Sequence, residues 1–201
     1  MILKLTHGNL KETVTLGVSI LNKGGIIAYP TETFYGLGVK YDIEPSLKRL
    51  YEIKKRPMEK AMPLIIGSVE QLSLLTDSIS DSARALIDRF WPGPLTILFE
   101  ARSALSEYIV SENKVAVRIP GESFALRLAM AAGFPITATS ANISGMPPAL
   151  SAALIQDYFN DSLDLIIDAG KSTGASPSTI VDVTGNKLRV LRKGAIDICL
   201  S

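Results

Sequence analysis

Short apolar runs alternate with amphipathic stretches along this 201-residue chain, and glycine or proline closes most of them. Residues 9–23 place Leu10 and Leu21 on one helical face, and Gly24 ends that helix. The apolar run 26–29 that follows is typical of a buried strand. This alternation predicts an α/β fold in which helices flank an open, mixed sheet.

The same patterns predict the remaining elements. Further helices are expected at 45–55, 69–76, 80–90, 122–132 and 149–159. Further strands are expected at 64–66, 95–99, 115–119, 136–138, 163–168, 180–183 and 188–191. Because the chain lacks repeats, low-complexity segments and linkers, we expect residues 1–201 to form a single domain.

The composition excludes several kinds of chemistry. The chain has one histidine, His7, and one cysteine, Cys199, so an intrachain disulfide or a multi-cysteine zinc site is ruled out. A Ser-His-Asp triad would need His7 as its base. The chain has no apolar run of 18 residues and no recognisable signal peptide, which predicts a cytoplasmic protein without membrane contact.

One segment resembles part of a phosphate-binding loop. Gly170 to Thr173 reads GKST and follows an apolar strand. The complete motif needs an earlier glycine, where this chain has Leu165 inside the strand. We therefore interpret the segment as a glycine turn.

A cluster of polar side chains follows the first buried strand, in the sequence PTETFYGLG. Thr31, Glu32, Thr33 and Tyr35 bring hydroxyls, a carboxylate and a phenol to a strand end, where α/β sheets bind ligands. A simple strand-end turn capped by threonine explains the pattern equally well.

Positive charge is concentrated in residues 48–60. This segment carries +4 and the rest of the chain −3, for a total of +1. Lys54 and Arg56 lie where a predicted helix ends, a position that favours cations electrostatically. Their other interpretation is an anion site, with a compact ammonium and a planar guanidinium.

Three later segments add weaker candidates. Arg118 lies inside an apolar strand, so it must face water, pair with an anion or contact a ligand. Polar side chains also follow a strand at 139–142. Ser178 and Thr179 precede the predicted strand 180–183, and Arg192 follows the last predicted strand, 188–191; turns and ordinary strands are the simpler interpretations. Together the candidates predict a cleft for an anionic ligand with a polyphosphate.

Seven motifs in order carry a resemblance to a known family: YPTETFYGLG, KKRP, WPGPLT, VAVRIP, TSANISG, PSTIVD and VLRKGAI. Over most of its length the chain resembles the threonylcarbamoyl-AMP synthase family, whose members have a YrdC-like domain. The resemblance implies a twisted α/β sheet around a large basic concave cavity. It also implies synthesis of threonylcarbamoyl-adenylate and pyrophosphate from L-threonine, bicarbonate and ATP, for the threonylcarbamoyladenosine modification of tRNA.

The resemblance assigns roles to individual positions. The implied catalytic signature is Lys54, Arg56, Ser140 and Asn142. Contacts to threonine or bicarbonate are implied for Thr31, Thr33, Tyr35, Arg118, Ser178 and Thr179. Contacts to the nucleotide are implied for Lys54, Arg56, Met58, Thr139, Asn142 and Arg192. Magnesium is expected to arrive with ATP, without a metal site made by the protein, and the product is expected to pass to proteins that transfer it to tRNA.

Two alternatives remain at this point. A module that binds double-stranded RNA or tRNA without catalysis would use the basic segment 48–60. Carbamoyl transferases of hydrogenase maturation share the domain but are long, cysteine-rich proteins. The sequence also departs from the family pattern at Lys60-Ala61-Met62, before Pro63, and at Gly67-Ser68, where many members have histidine.

Overall fold

The computed structural model of the protein describes residues 1–172, 176–185 and 187–198. The helices are α1 (Leu10–Asn22), α2 (Glu44–Lys54), α3 (Asp81–Phe90), α4 (Phe124–Ala132) and α5 (Ala152–Phe159). The strands are β1 (Ile2–Lys4), β2 (Ile27–Pro30), β3 (Tyr35–Gly38), β4 (Leu64–Ile65), β5 (Leu95–Glu100), β6 (Val110–Ser111), β7 (Lys114–Arg118), β8 (Ile136–Thr137), β9 (Thr139–Ser140), β10 (Leu165–Asp168), β11 (Thr179–Asp182) and β12 (Arg189–Arg192). Short 3₁₀ turns lie at His7–Asn9, Val69–Leu74 and Asn160–Ser162.

The described strands divide between two mixed sheets. The first has five strands in the order β1-β10-β2-β3-β9, in which β1 and β2 run parallel to β10. The second has the order β12-β11-β5-β7-β4-β8, and β6 adds to β7. The predicted mixed α/β class with flanking helices is confirmed.

The two sheets join where the chain passes from β8 to β9. Thr137 donates a backbone hydrogen bond to Val39 just beyond β3, and β8 itself pairs with β4 of the second sheet. The backbone of Ala138 then bonds to Pro63, and β9 continues on the first sheet. This change of sheet places Thr139 and Ser140 at the seam between them.

Helices α1 and α4 pack together over one face of the first sheet. Leu21 of α1 and Leu128 of α4 are fully buried in this cluster. The helices approach closely because α1 has Gly17 at the contact, where a β-carbon would lie 3.1 Å from Leu128. A larger apolar cluster holds α2, α3 and α5 against the opposite side of the strands.

Most predicted elements are present within a few residues of their expected ends. Ser80 caps α3 by accepting a hydrogen bond from the amide of Ala83. The predicted helix at 69–76 is wrong, since this segment is a 3₁₀ turn. Four strands were not predicted: β1, β3, β6 and β9.

Strand β3 was not predicted because two of its four residues are glycine, which has a low strand propensity. The structure explains the glycines through Tyr29 on the neighbouring strand. A β-carbon on Gly38 would lie 2.8 Å from the Tyr29 ring, and one on Gly36 would lie 3.2 Å from it. The ring therefore requires both glycines, and in consequence the tyrosine hydroxyl reaches the carbonyl of Thr137 at 2.9 Å.

Candidate active site

A cavity of about 450 Å³ lies at the seam between the two sheets. This volume is within the range of small-molecule sites. Its walls come from the turn before β3, from β5, β7 and β11, and from the β8–β9 junction. The predicted site residues among its lining are Thr31, Thr33, Tyr35, Arg56, Arg118, Thr139, Ser140, Ser178 and Arg192.

The charged side chains that line the cavity, among the described residues, are all cations: Arg56, Lys114, Arg118 and Arg192. Two of them pair with carboxylates behind the wall. Arg56 and Arg192 have no carboxylate partner among the described residues, so the concave surface keeps a net positive charge, which raises the local concentration of anions. The arrangement therefore suits a ligand with several negative charges.

Arg56 is held on the cavity wall by the segment that follows α2. Its guanidinium donates to the carbonyls of Lys60 at 2.7 Å and Ala61 at 3.0 Å, and reaches the Thr139 hydroxyl at 3.3 Å. It also lies over the ring of Tyr51, 6.0 Å from the ring centre. Lys55 adopts a left-handed conformation at the helix end, which turns the chain toward the cavity. Arg56 is thus fixed before any ligand binds.

Arg118 ends β7 and faces the cavity, as its position in the strand alternation indicates. Lys114, Ala116 and Arg118 line the cavity, while Val115 and Val117 are buried on the other face. Arg118 Nη1 lies 2.5 Å from Glu32 Oε1, with 11% and 22% of the two side chains exposed. Arg118 therefore pairs with an anion of the protein and also presents itself to a ligand.

Arg192 contributes from the second sheet. Its guanidinium donates to the Ser178 carbonyl at 2.9 Å and to the Ser178 hydroxyl at 3.0 Å. Ser178 in turn lies 2.9 Å from the hydroxyl of Thr96. Burial and the nearby charge of Arg118 lower the pKa of Arg192, so both guanidinium groups act on the same space.

The turn between β2 and β3 is organised by Thr31. Its hydroxyl donates to the carbonyl of Phe34 at 2.6 Å and accepts from the amide of Thr33 at 3.1 Å. The Tyr35 hydroxyl points away to Gly170, at 2.7 Å from its carbonyl oxygen, and burial raises the pKa of that phenol. Tyr35 therefore anchors the turn through its side chain.

Lys54 occupies an unexpected place. Only 1% of it is exposed, and its ammonium donates to the carbonyls of Ser140 at 2.6 Å and Asn142 at 2.7 Å. Burial, followed by the charge of Arg56, lowers the pKa of Lys54 to about 7. The side chain thus holds the loop after β9 and is not part of the cavity wall.

Three other predicted site residues also lie outside the cavity lining. Asn142 accepts from the Ser140 hydroxyl at 2.5 Å and donates to the carbonyls of Ile143 and Met146, so it shapes its own loop. Thr179 is buried and binds the backbone of Gly194 and Ile196. Met58 is 46% exposed.

The sequence-based prediction missed the roles of two charged residues in or beside the cavity wall, Lys114 and Glu32. Lys114 lines the wall and donates to Asp182 at 2.8 Å. Its signal was available, since it lies two and four residues before Ala116 and Arg118 on one face of β7. Glu32 was recognised as part of the polar cluster but not as the partner of Arg118, because only the fold brings β7 beside the turn.

The GKST segment that resembles part of a phosphate-binding loop begins with a bend at Gly170. This glycine has φ +82°, and its carbonyl accepts a hydrogen bond from the Tyr35 hydroxyl. Leu165 lies in β10 as expected. Thr173 and the sole cysteine, Cys199, lie outside the described residues.

A family model described as telomere recombination, that of the Sua5, YciO and YrdC proteins, matches residues 19–194. The chain belongs to this family. The membership confirms the resemblance seen in the motifs, and it agrees with a cavity whose lining includes residues from most of them.

Named relatives of this Sua5/YciO/YrdC chain are threonylcarbamoyl-AMP synthases. One from Pyrococcus abyssi is 36% identical over 92% of this chain and 55% of its own length. One from Klebsiella pneumoniae is 37% identical over 89% of this chain and 95% of its own. The chain thus spans about half of the first relative and nearly all of the second. The single domain over 1–201 stays a prediction.

Solved structures agree with the fold. Pyrococcus abyssi Sua5 complexed with L-threonine superposes with a TM-score of 0.90 at 34% identity, over 96% of this chain and 57% of that one. Within the described part of the chain, no helix is both long and apolar enough to cross a bilayer.

Proposed function

We propose that this protein synthesises threonylcarbamoyl-AMP, releasing pyrophosphate, from L-threonine, bicarbonate or CO₂, and ATP. The observation that carries the proposal is the cavity lined by Arg56, Lys114, Arg118 and Arg192 in a chain of this family. The synthases from Pyrococcus abyssi and Klebsiella pneumoniae support the choice of reaction.

The reaction has two steps. The amine of threonine takes up CO₂ or bicarbonate to give a carbamate. A carbamate oxygen then attacks the α-phosphorus of ATP, and the bond from that phosphorus to the bridging oxygen breaks as pyrophosphate leaves. Such a displacement depends on alignment and on stabilisation of the developing charge, which fixed cations supply.

We assign the threonine end to Arg118 and the turn at Thr31 and Thr33. The free donors of the Arg118 guanidinium suit a carboxylate, and two hydroxyls of the turn lie on the adjoining wall. Ser178, which Arg192 and Thr96 hold in place, completes this end. Tyr35 and Thr179 support it from behind.

We assign the nucleotide end to Arg56, Arg192 and the seam at Thr139 and Ser140. Arg56 is already oriented by two carbonyls, so it meets the phosphates at little entropic cost. Lys54 and Asn142 act on this end by shaping the loop after β9, and Met58 is available at the surface beyond Arg56.

Magnesium enters as part of the ATP substrate. Among the described residues, no group of three or more histidines, cysteines, aspartates or glutamates is placed to hold a metal. Magnesium commonly keeps its waters and binds through substrate phosphates, which agrees with a wall made of cations and hydroxyls. The adenylate would then pass to proteins that modify tRNA; because ATP and tRNA are cytoplasmic, we place the reaction there.

The distribution of charge argues against a module that only binds RNA. Of the six cations in 48–60, Lys54 is buried, Arg56 faces the cavity and Arg49 pairs with Asp164. The exposed remainder is Lys48, Lys55 and Lys60, offset by exposed Glu52 and Glu59. The outer surface of this segment therefore has little net charge for a phosphate backbone.

The deciding experiment measures pyrophosphate release by the purified protein with ATP, magnesium, threonine and bicarbonate. We expect release to require both threonine and bicarbonate, and mass spectrometry to identify the adenylate. Pyrophosphate release that continues at the same rate when threonine or bicarbonate is omitted would overturn the proposal. Tight RNA binding with a steep salt dependence and no ATP turnover would establish the alternative.

A further inference from the structure

The hydroxyl of Ser178, on the cavity wall, has two hydrogen-bond partners among the described residues. Nη2 of Arg192 lies 3.0 Å from Ser178 Oγ, and Oγ1 of Thr96 lies 2.9 Å from it. A guanidinium can only donate, so the bond from Arg192 occupies one lone pair of Ser178 Oγ. The direction of the bond with Thr96 therefore decides what the serine hydroxyl can offer a ligand.

Burial fixes the direction of that bond. Thr96 is 3% exposed, and the described part of the chain gives its hydroxyl proton no acceptor other than Ser178 Oγ. A buried hydroxyl proton without an acceptor costs free energy. Thr96 avoids this cost by donating to Ser178. Both lone pairs of Ser178 Oγ are then occupied, and its own proton is left for the cavity.

The neighbouring group on this part of the wall is also a donor. Ile97 of β5 pairs with Val117 of β7. The next residues on the two antiparallel strands, Thr96 and Arg118, therefore lie side by side, and both line the cavity. The guanidinium of Arg118 makes one hydrogen bond within the described chain, although it has five N–H donors. A hydroxyl that can only donate, beside these N–H groups, is complementary to an oxygen that carries negative charge.

Resting on the proposed function, we propose that Thr96 is a positioning residue that makes the Ser178 hydroxyl a hydrogen-bond donor to the carboxylate of threonine. The Arg118 guanidinium and the Ser178 proton then hold the carboxylate together. An uncharged amide in the same place would bring its N–H groups against these donors, so the arrangement selects a carboxylate. Thr96 acts through Ser178 and does not touch the substrate.

The test measures by titration calorimetry the dissociation constants of L-threonine and L-threoninamide, whose amide replaces the carboxylate. We expect Thr96→Val to reduce the preference for threonine about tenfold, because one lone pair of Ser178 Oγ becomes free to accept from the amide. Thr96→Ser keeps the donor and should restore the wild-type preference. In steady-state kinetics, Thr96→Val should raise the KM for threonine and leave kcat nearly unchanged. A wild-type preference in Thr96→Val would overturn the proposal.

Two further variants separate this role from a general effect on the fold. Thr13 is another buried threonine, outside the cavity lining, whose hydroxyl donates to the carbonyl of Asn9 at 2.8 Å. Thr13→Val should leave the preference unchanged. In a Ser178→Ala background, Thr96→Val should have no further effect on the preference. An additive effect would show that Thr96 itself contacts the substrate, which would overturn its role as a positioning residue.

The proposed function and the role of Thr96 can fail separately. If wild type releases no pyrophosphate in response to threonine, the proposed function fails, and calorimetry with the two ligands still decides the role of Thr96. If release depends on threonine but wild type and Thr96→Val have the same preference, only the role of Thr96 is overturned. A wild-type protein that binds neither ligand overturns both.

Discussion

The ammonium group of Lys54 donates a 2.6 Å hydrogen bond to the main-chain carbonyl of Ser140, from the side away from the cavity. A second bond, to Asn142, fixes the same loop. The lysine therefore acts through the backbone it holds, and only Ser140 of the two faces the ligand space.

Substitution of Lys54 tests this relationship through stability. Because the pKa of Lys54 falls to about 7 in the folded protein from 10.5, the unfolded chain binds more protons between these values. Stability should then rise with pH across this window, by up to about 1.4 kcal/mol per unit from this group. Urea unfolding of wild type and Lys54→Met between pH 7.5 and 9.5 should show the smaller slope in the variant. Equal slopes for wild type and variant would contradict a lowered pKa of Lys54 in the folded protein.

Arg56 should be sensitive even to a conservative change. Lysine cannot bind the carbonyls of Lys60 and Ala61 and also present a planar face to the phosphates. We expect both Arg56→Lys and Arg56→Ala to lower kcat for pyrophosphate release by about 100-fold. Arg127→Ala removes an exposed arginine and serves as the control. Full activity of Arg56→Lys would show that charge alone is enough.

Arg192 and Arg189 offer a matched pair on β12. Both arginines are exposed, but only Arg192 lines the cavity. Arg192→Ala should raise the KM for ATP about tenfold or more, the value of a lost charge-assisted contact. Arg189→Ala should change it less than twofold. Equal effects of the two substitutions would indicate a general effect of surface charge and would contradict a phosphate contact at Arg192.

The sequence predicted the helices and buried strands because their apolar periodicity is local. The cavity depends on relationships that are not local. Lys54 and Arg56 are two residues apart, yet α2 ends between them, so one enters the core and the other turns to the cavity. Strand β9 is only two residues long, and both residues are polar, so it has no apolar periodicity. Glu32 and Arg118 form their ion pair although 86 positions separate them in the sequence. No pattern within a window of the sequence carries these contacts.

Ser178 and Thr179 are adjacent, but only Ser178 lines the cavity. The Thr179 hydroxyl donates to the carbonyl of Ile196 at 2.6 Å and accepts from the amide of Gly194 at 3.1 Å, away from the cavity. Thr179→Val should therefore lower the free energy of unfolding by about 1–3 kcal/mol, while leaving the KM for threonine unchanged. Ser178→Ala should raise the KM for threonine and leave the free energy of unfolding nearly unchanged, since the Ser178 hydroxyl lies on the cavity wall and accepts a hydrogen bond from Arg192. Chemical unfolding and steady-state kinetics on both variants measure the two effects, and a raised KM in Thr179→Val with normal stability would place Thr179 in contact with the substrate.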